Sequence, residues 1–325
     1  MATLSAQLKL WHPDKPASKG ATAYHNAVVH ASYYLESLDK LAKIISKKIK
    51  DGDIIVDFGA GTGVSALQLM KRLRVNIKLW LVDNSPAWLG KAYEVFNRNP
   101  DVKCFLLEKS NNTYTTLGET IGEETADHVI SANTVHLIPK LEYTFKDINA
   151  ALKPNGTFTF QSGNIIRSNR EKGVLMVDDT IKRVHDIAIE IVQTDNKYAN
   201  YKKIIDDRIE KENLQRKLVF PDPKHLECYL NALKTACFKY TKSYFKLLRI
   251  KYNDWLDFLK VKRLQAGILP EVGGINPSFE EEKDRDDLIT MSANQLFKEL
   301  QTQNPMSDDK SFTVESIYVT ATKDA

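Results

Sequence analysis

No other ten residues restrict the fold of this chain as much as Ile54-Ile55-Val56-Asp57-Phe58-Gly59-Ala60-Gly61-Thr62-Gly63. The first five are almost wholly apolar, which marks a strand buried on both faces, as in a parallel sheet covered by helices. Three glycines in five positions then make a tight turn into an amphipathic run, Val64 to Leu73. The same unit recurs. Ile77 to Val82 is a second strand ending at Asp83, and Ser85-Pro86 supplies an N-cap and a first-turn proline for a helix to about Phe96. Val102 to Leu107, Asp127 to Ser131 and Thr157 to Gln161 read as further strands, with a helix from Leu141 to Leu152 before the last. Strand and helix alternate five times, so the fold class is α/β with a right-handed, doubly wound sheet.

The flanks divide the chain further. Residues 1–50 read as an arm followed by one helix from about Thr22, whose apolar positions Val28, Ala31, Leu35, Leu38, Ala42, Ile45 and Ile49 form a single stripe. Residues 51–165 form the α/β core, 166–221 a charged helical insertion, 222–250 a returning helix and strand, 251–310 a second insertion and 311–325 a terminal strand. In that strand Phe312 and Val314 share one parity while Ile317, Val319 and Ala321 share the other, which predicts a bulge between them.

Composition excludes several classes. No run of roughly 18 apolar residues offers a membrane span, and the N-terminus lacks an apolar core behind a basic stretch, so no secretory signal is read. The spacing of Cys104, Cys228 and Cys237 fits no disulfide frame or metal knuckle, and these thiols imply a reducing, cytoplasmic setting. A net charge of +4 is too small to argue for nucleic acid, although lysines gather before Lys50 and between Lys239 and Arg263.

The glycine turn separates two cofactor readings. A dinucleotide site wants G-x-G-x-x-G, whose third glycine lets a helix approach the strand while its N-terminus takes a pyrophosphate. Here the position of that third glycine is Val64, and the glycines fall at 59, 61 and 63. That spacing disfavours a nicotinamide dehydrogenase and suits a ligand without a diphosphate. Asp83, at the tip of the second strand, is placed to accept both hydroxyls of a ribose.

The run VDFGAGTG, with LVD closing the next strand, resembles the cofactor signature of class I S-adenosylmethionine (SAM)-dependent methyltransferases. SANTVHLIP, ALKPNGTFTF and FTVESIYVTATK are similar to that family in the same order. The resemblance implies a doubly wound, seven-stranded, mostly parallel sheet with helical lid insertions. SAM would be the cofactor and S-adenosylhomocysteine its product. It puts Asp57, Gly59, Ala60, Gly61, Gly63, Asp83, Asn84 and Asn133 around the cofactor, Asp57 toward the methionine amino group and Asp83 on the ribose. Leu107-Glu108-Lys109-Ser110 departs from the family's acidic-then-small adenine pattern.

The resemblance also narrows the chemistry. Ser131-Ala132-Asn133 and Gln161-Ser162-Gly163-Asn164 stand where metal-dependent O-methyltransferases carry acids, so no metal is expected. The Asp/Asn-Pro-Pro-aromatic motif of amino-methylating enzymes and the Pro-Cys of cytosine C5 enzymes are both missing from the fourth strand. What remains is a small-molecule methyltransferase acting through oxygen or nitrogen, with carbon as a further option, on an aromatic or anionic acceptor. The candidates for chemistry are His136 near the methyl, His25 as a base and Tyr24 facing the substrate. Trp11 and His12 are weaker lid candidates, and Tyr198, Tyr201, Tyr244, Tyr252 and Trp255 could line the lid. Two alternatives stay open: a protein or RNA methyltransferase, and a SAM-fold protein that binds without turnover.

Overall fold

A computed structural model describes residues 8–111, 113–303 and 311–325. The start of the N-terminal arm (1–7) and the end of the expected second insertion (304–310) lie outside the described residues. Seven strands form one sheet: β1 Ile54–Phe58, β2 Lys78–Asp83, β3 Val102–Leu106, β4 Ala126–Ala132, β5 Leu152–Ser162, β6 Phe238–Lys251 and β7 Ser311–Lys323. Their order is β6-β7-β5-β4-β1-β2-β3, and β7 runs antiparallel to both of its neighbours. From β1 the chain winds outward through β2 and β3, then returns to β4 on the other side. That reversal opens a crevice beyond the carboxyl ends of β1 and β4, where ligands bind in sheets of this kind.

Alternation along the strands feeds two cores. Val56, Phe58, Trp80 and Val82 face α5 (Leu117–Ile121), α6 (Leu141–Ala151) and α10 (Leu226–Thr235). Ile55, Leu79 and Leu81 face α2 (Ser32–Ile45), α3 (Val64–Arg72) and α4 (Pro86–Phe96). Thr116 and Glu119 cap α5 reciprocally, the T-x-x-E signature of a capping box.

A third core belongs to the helical cap. α7 (Val177–Thr194), α8 (Ala199–Lys202), α9 (Ile205–Val219), α11 (Tyr252–Leu259), α12 (Lys262–Ile268) and α13 (Phe279–Gln303) make up this cap. Much of it packs around Trp255, Tyr198 and Leu259. Leu248, Ile250, Phe312 and Val314, from the far ends of β6 and β7, belong to this cluster. Each such side chain contributes about 1.5–3 kcal/mol when fully buried. No helix among the described residues is long and apolar enough to cross a membrane.

Two expectations are corrected. β7 has no bulge between Val314 and Ile317, because its register with β6 runs unbroken from Ser311↔Lys251 to Thr322↔Tyr240. The parity of apolar residues changes because the strand overhangs β5, which pairs only with Ile317–Thr322. Before that point one face packs on the cap, and after it the other face packs on α10 and its neighbours. The N-terminal helix is also two helices, α1 (Lys19–His30) and α2, broken at an extended Ala31. The amide and hydroxyl of Ser32 both donate to Asp254 Oδ2, at 3.0 and 2.7 Å, so α11 caps the second helix from 222 residues away.

Candidate active site

A cleft of about 850 Å³ occupies the crevice. Its floor is the turn after β1. Gly59 and Ala60 donate their amides to Val82 O at 2.8 and 3.0 Å, tying the turn to β2. Thr134 Oγ1 donates to Gly59 O at 3.1 Å and Ser131 Oγ to Phe58 O at 2.8 Å, tying it to β4. Gly61 has φ +55°, and a Cβ there would meet nothing within 4 Å, so its side faces open cleft. Gly63 differs. A Cβ there would come within 2.8 Å of Phe96, and the residue packs against α4 rather than lining the cleft.

Two carboxylates flank this floor. Asp83 Oδ2 accepts the Gly61 amide at 2.8 Å and Oδ1 accepts the Ser85 amide at 2.8 Å. Each oxygen keeps a lone pair for a further donor. Burial raises the Asp83 pKa against the pull of those amides. Asp57 is fully buried beneath the turn, where Ser65 Oγ donates to its Oδ2. Its Oδ1 finds no donor among the described residues. Desolvation pushes its pKa up to about 7, with Asp83 adding repulsion and the Ser65 hydroxyl opposing.

The opposite wall carries hydroxyls and rings. Asn133 sits at φ +51° just after β4, and its amide donates to Gln161 O at 2.9 Å. Its side chain bonds the Tyr34 hydroxyl, which lies 3.4 Å from the Tyr24 hydroxyl. The Tyr24 ring meets Trp88 edge-on at 4.6 Å. Burial lifts the Tyr24 pKa well above the ordinary phenol value, so near neutrality this hydroxyl donates hydrogen bonds and does not serve as a base.

Of the residues expected from sequence, the cleft gathers Tyr24, Gly59, Ala60, Gly61, Asp83, Asn84 and Asn133. His136 and His25 are not among its lining residues. His136 Nδ1 lies 3.0 Å from Ser162 Oγ, and desolvation, helped by Lys224, pushes its pKa down to about 4. His25 is buried against the backbone of Thr62, and its pKa is lowered by desolvation and by Lys91. Trp11 and His12 are not lid residues: the Trp11 amide donates to Cys104 O of β3 at 2.9 Å, and His12 packs edge-on against Tyr93. The cap aromatics Tyr198, Tyr201, Tyr252 and Trp255 pack in or against the cap's own core, and Tyr244 lies on β6 beside Lys40 and Lys242. Leu218, Val219, Arg263 and Leu264 bring the cap to the cleft instead, and no sequence periodicity marked them.

The arrangement tests well against a nucleoside with an amino-acid tail. One buried carboxylate is free to take hydroxyls, a second has an unbonded oxygen, and an open glycine lies between them. Fold and site thus define a doubly wound, nucleoside-binding enzyme. The chain belongs to the methyltransferase domain family, whose model matches residues 49–221, just over half of its length. It is a SAM-dependent methyltransferase, and SAM is its cofactor.

The chain is 25% identical over 235 residues to a carboxy-S-adenosyl-L-methionine synthase from Nautilia profundicola, covering 71% of this chain and 86% of that protein. Among solved structures it is similar to the YcgJ protein of Bacillus subtilis (TM-score 0.50, 12% identity, 88% of this chain and 99% of that one). It is also similar to phosphoethanolamine N-methyltransferase 2 of Haemonchus contortus, solved with phosphomonomethylethanolamine and S-adenosylhomocysteine. There the TM-score is 0.50 at 14% identity, over 94% of this chain and 57% of that one. At these identities the structural likeness speaks for the fold alone.

Proposed function

We propose that the protein transfers a methyl group from SAM to a small-molecule acceptor through oxygen or nitrogen, with carbon as the further option, and without a metal. One observation carries this reading. Tyr24 of α1, Val219 at the end of α9 and Leu264 of α12 line the cleft opposite the glycine turn, and its volume is that of a small-molecule site. A cofactor and a compact acceptor together suit a space of that size.

Bound in the cleft, SAM supplies an electrophilic methyl on a sulfonium. The chain's own work is positioning and exclusion of water. In this reading Asp83 and Asn84 hold the ribose, Gly59, Ala60 and Gly61 back the ligand, and Gly63 starts the helix behind it. Asp57 offers its free oxygen toward the amino group. Asn133, oriented by Tyr34, flanks the methyl, and Tyr24 donates a hydrogen bond to the acceptor. His25 and His136, each next in sequence to a lining residue, Tyr24 and Leu137, are the candidate bases. No carboxylate stands at Ser131–Asn133 or Gln161–Asn164 to bind a cation.

Titration with SAM, S-adenosylhomocysteine and NAD, on the wild type and on Asp83→Ala, tests the cofactor half. Each lost charge-assisted hydrogen bond is worth about 1.5–3 kcal/mol, so the variant should bind SAM roughly 10–100-fold more weakly. Tight NAD binding, or SAM affinity indifferent to Asp83, refutes it. Methyl-labelled SAM tests the acceptor half: label should appear in low-mass products and not in protein or RNA. The identity to a carboxy-SAM synthase favours a second reading, in which the product is a carboxylated cofactor. Mass spectrometry of the nucleoside after turnover separates the two.

A further inference from the structure

Arg263 reaches the cleft from α12, and its guanidinium lies over the Trp88 ring at 4.7 Å. Tyr24 meets the same indole edge-on, so α1, α4 and α12 build one wall of the cleft. The bases around Arg263 are neutralised. Lys260 pairs with Asp286 at 3.5 Å and Lys262 with Glu282 at 2.6 Å. Arg167, Arg183 and Arg216, which also belong to the insertions, are paired with Glu315, Glu299 and Glu271. Among the described residues no acceptor binds Arg263. The carboxylate that bears on it electrostatically is Asp83, whose oxygens accept amides and form no ion pair with it.

A guanidinium stays charged at any physiological pH and presents five donors in a fixed fork. Stacked on an indole, it keeps the donor rim free while its face is covered. A fork with no protein partner, on an exposed residue that lines a ligand cleft, matches a planar or tetrahedral oxyanion.

We infer that Arg263 is the anion-binding residue of this cleft, taking a carboxylate or phosphate on a bound ligand. The inference rests on the cleft being the cofactor site. The anion has two sources, the amino-acid carboxylate of the cofactor or an acidic group on the acceptor.

Three variants separate these outcomes. Arg263→Met keeps length and apolar contact, Arg263→Lys keeps charge without the fork, and Asp83→Ala reports on the cleft itself. Calorimetry with S-adenosylhomocysteine and with 5′-methylthioadenosine, which lacks the amino acid, reads the first source. If the cofactor carboxylate is the ligand, Arg263→Met weakens the former about 10–100-fold and leaves the latter unchanged, with Arg263→Lys in between. If the acceptor supplies the anion, both nucleosides bind as before. Inorganic phosphate or acetate, added to protein loaded with S-adenosylhomocysteine, then changes tryptophan fluorescence saturably in the wild type and not in Arg263→Met. Unaltered nucleoside binding, together with unaltered anion titration in Arg263→Met, overturns the inference. Should Asp83→Ala also leave nucleoside binding untouched, the cofactor site falls with it. A loss on Asp83→Ala alone overturns only the role of Arg263. Thermal unfolding of each variant guards against misfolding.

Discussion

Asp57→Asn should make the ligand-free protein more stable while weakening its hold on SAM. The wild-type carboxyl titrates at about 7 in the fold against an ordinary 3.8, because burial disfavours its charge. A folded-state pKa above the unfolded one means that the native protein binds more protons between the two values. The contribution to stability is therefore intact below about pH 4 and is lost as pH rises through 7. At 1.36 kcal/mol per unit, the ionised group costs roughly 4 kcal/mol at pH 8 and under half of that at pH 5. The carboxamide keeps an oxygen for the Ser65 hydroxyl and carries no charge. At about 2 °C per kcal/mol for a chain of this size, the melting point of the variant should exceed that of the wild type by up to ~8 °C at pH 8. The gap should shrink by more than half at pH 5. Calorimetric melts at pH 8, 6 and 5 without ligand measure it. A gap that is absent at pH 8, or that does not change with pH, would refute the claim that Asp57 carries a disfavoured charge. SAM affinity gives the companion readout: below pH 7 it should fall about tenfold per unit in the wild type and stay flatter in the variant.

Two further outcomes follow from the same geometry. Gly61→Val puts a branched side chain at φ +55° and fills the cleft, so SAM binding should be abolished in calorimetry while stability drops by only about 1–3 kcal/mol. His136 has its pKa depressed to about 4, so its contribution is full above pH 6.5 and lost as pH falls toward 4. Acidification from pH 7 to 5 should cost the wild type about 2 kcal/mol through this residue, and His136→Asn should remove that part of the difference between melts at the two pH values.

Much of the core was legible in the chain because its signals are local. Ile54–Phe58 announces a buried parallel strand, the spacing of Gly59, Gly61 and Gly63 argues against a diphosphate, and with Asp83 it carries the resemblance that implies SAM. What escaped depends on partners distant in sequence. The break at Ala31 is set by Asp254, and the parity change in β7 by a neighbouring strand that ends at Ser162. Arg263 and Val219 line the cleft where α12 meets α9, an approach so close that a Cβ on Gly267 would clash with Val219, and one invisible in the sequence. His25 and His136 stand at plausible positions, but the partners of their rings, the Thr62 backbone and the Ser162 hydroxyl, depend on contacts the sequence does not announce.

The overhang of β7 has a mechanical consequence. A single ribbon, Ser311–Lys323, carries Phe312 and Val314 into the cap and Ile317 and Val319 into the main body, while hydrogen-bonded to β6 over nearly all of its length. The cap is therefore riveted to the sheet at that edge and cannot swing as a hinged flap. Whatever moves to admit a ligand must then lie away from that edge, on the side where Tyr24 of α1 and Leu218 of α9 line the cleft.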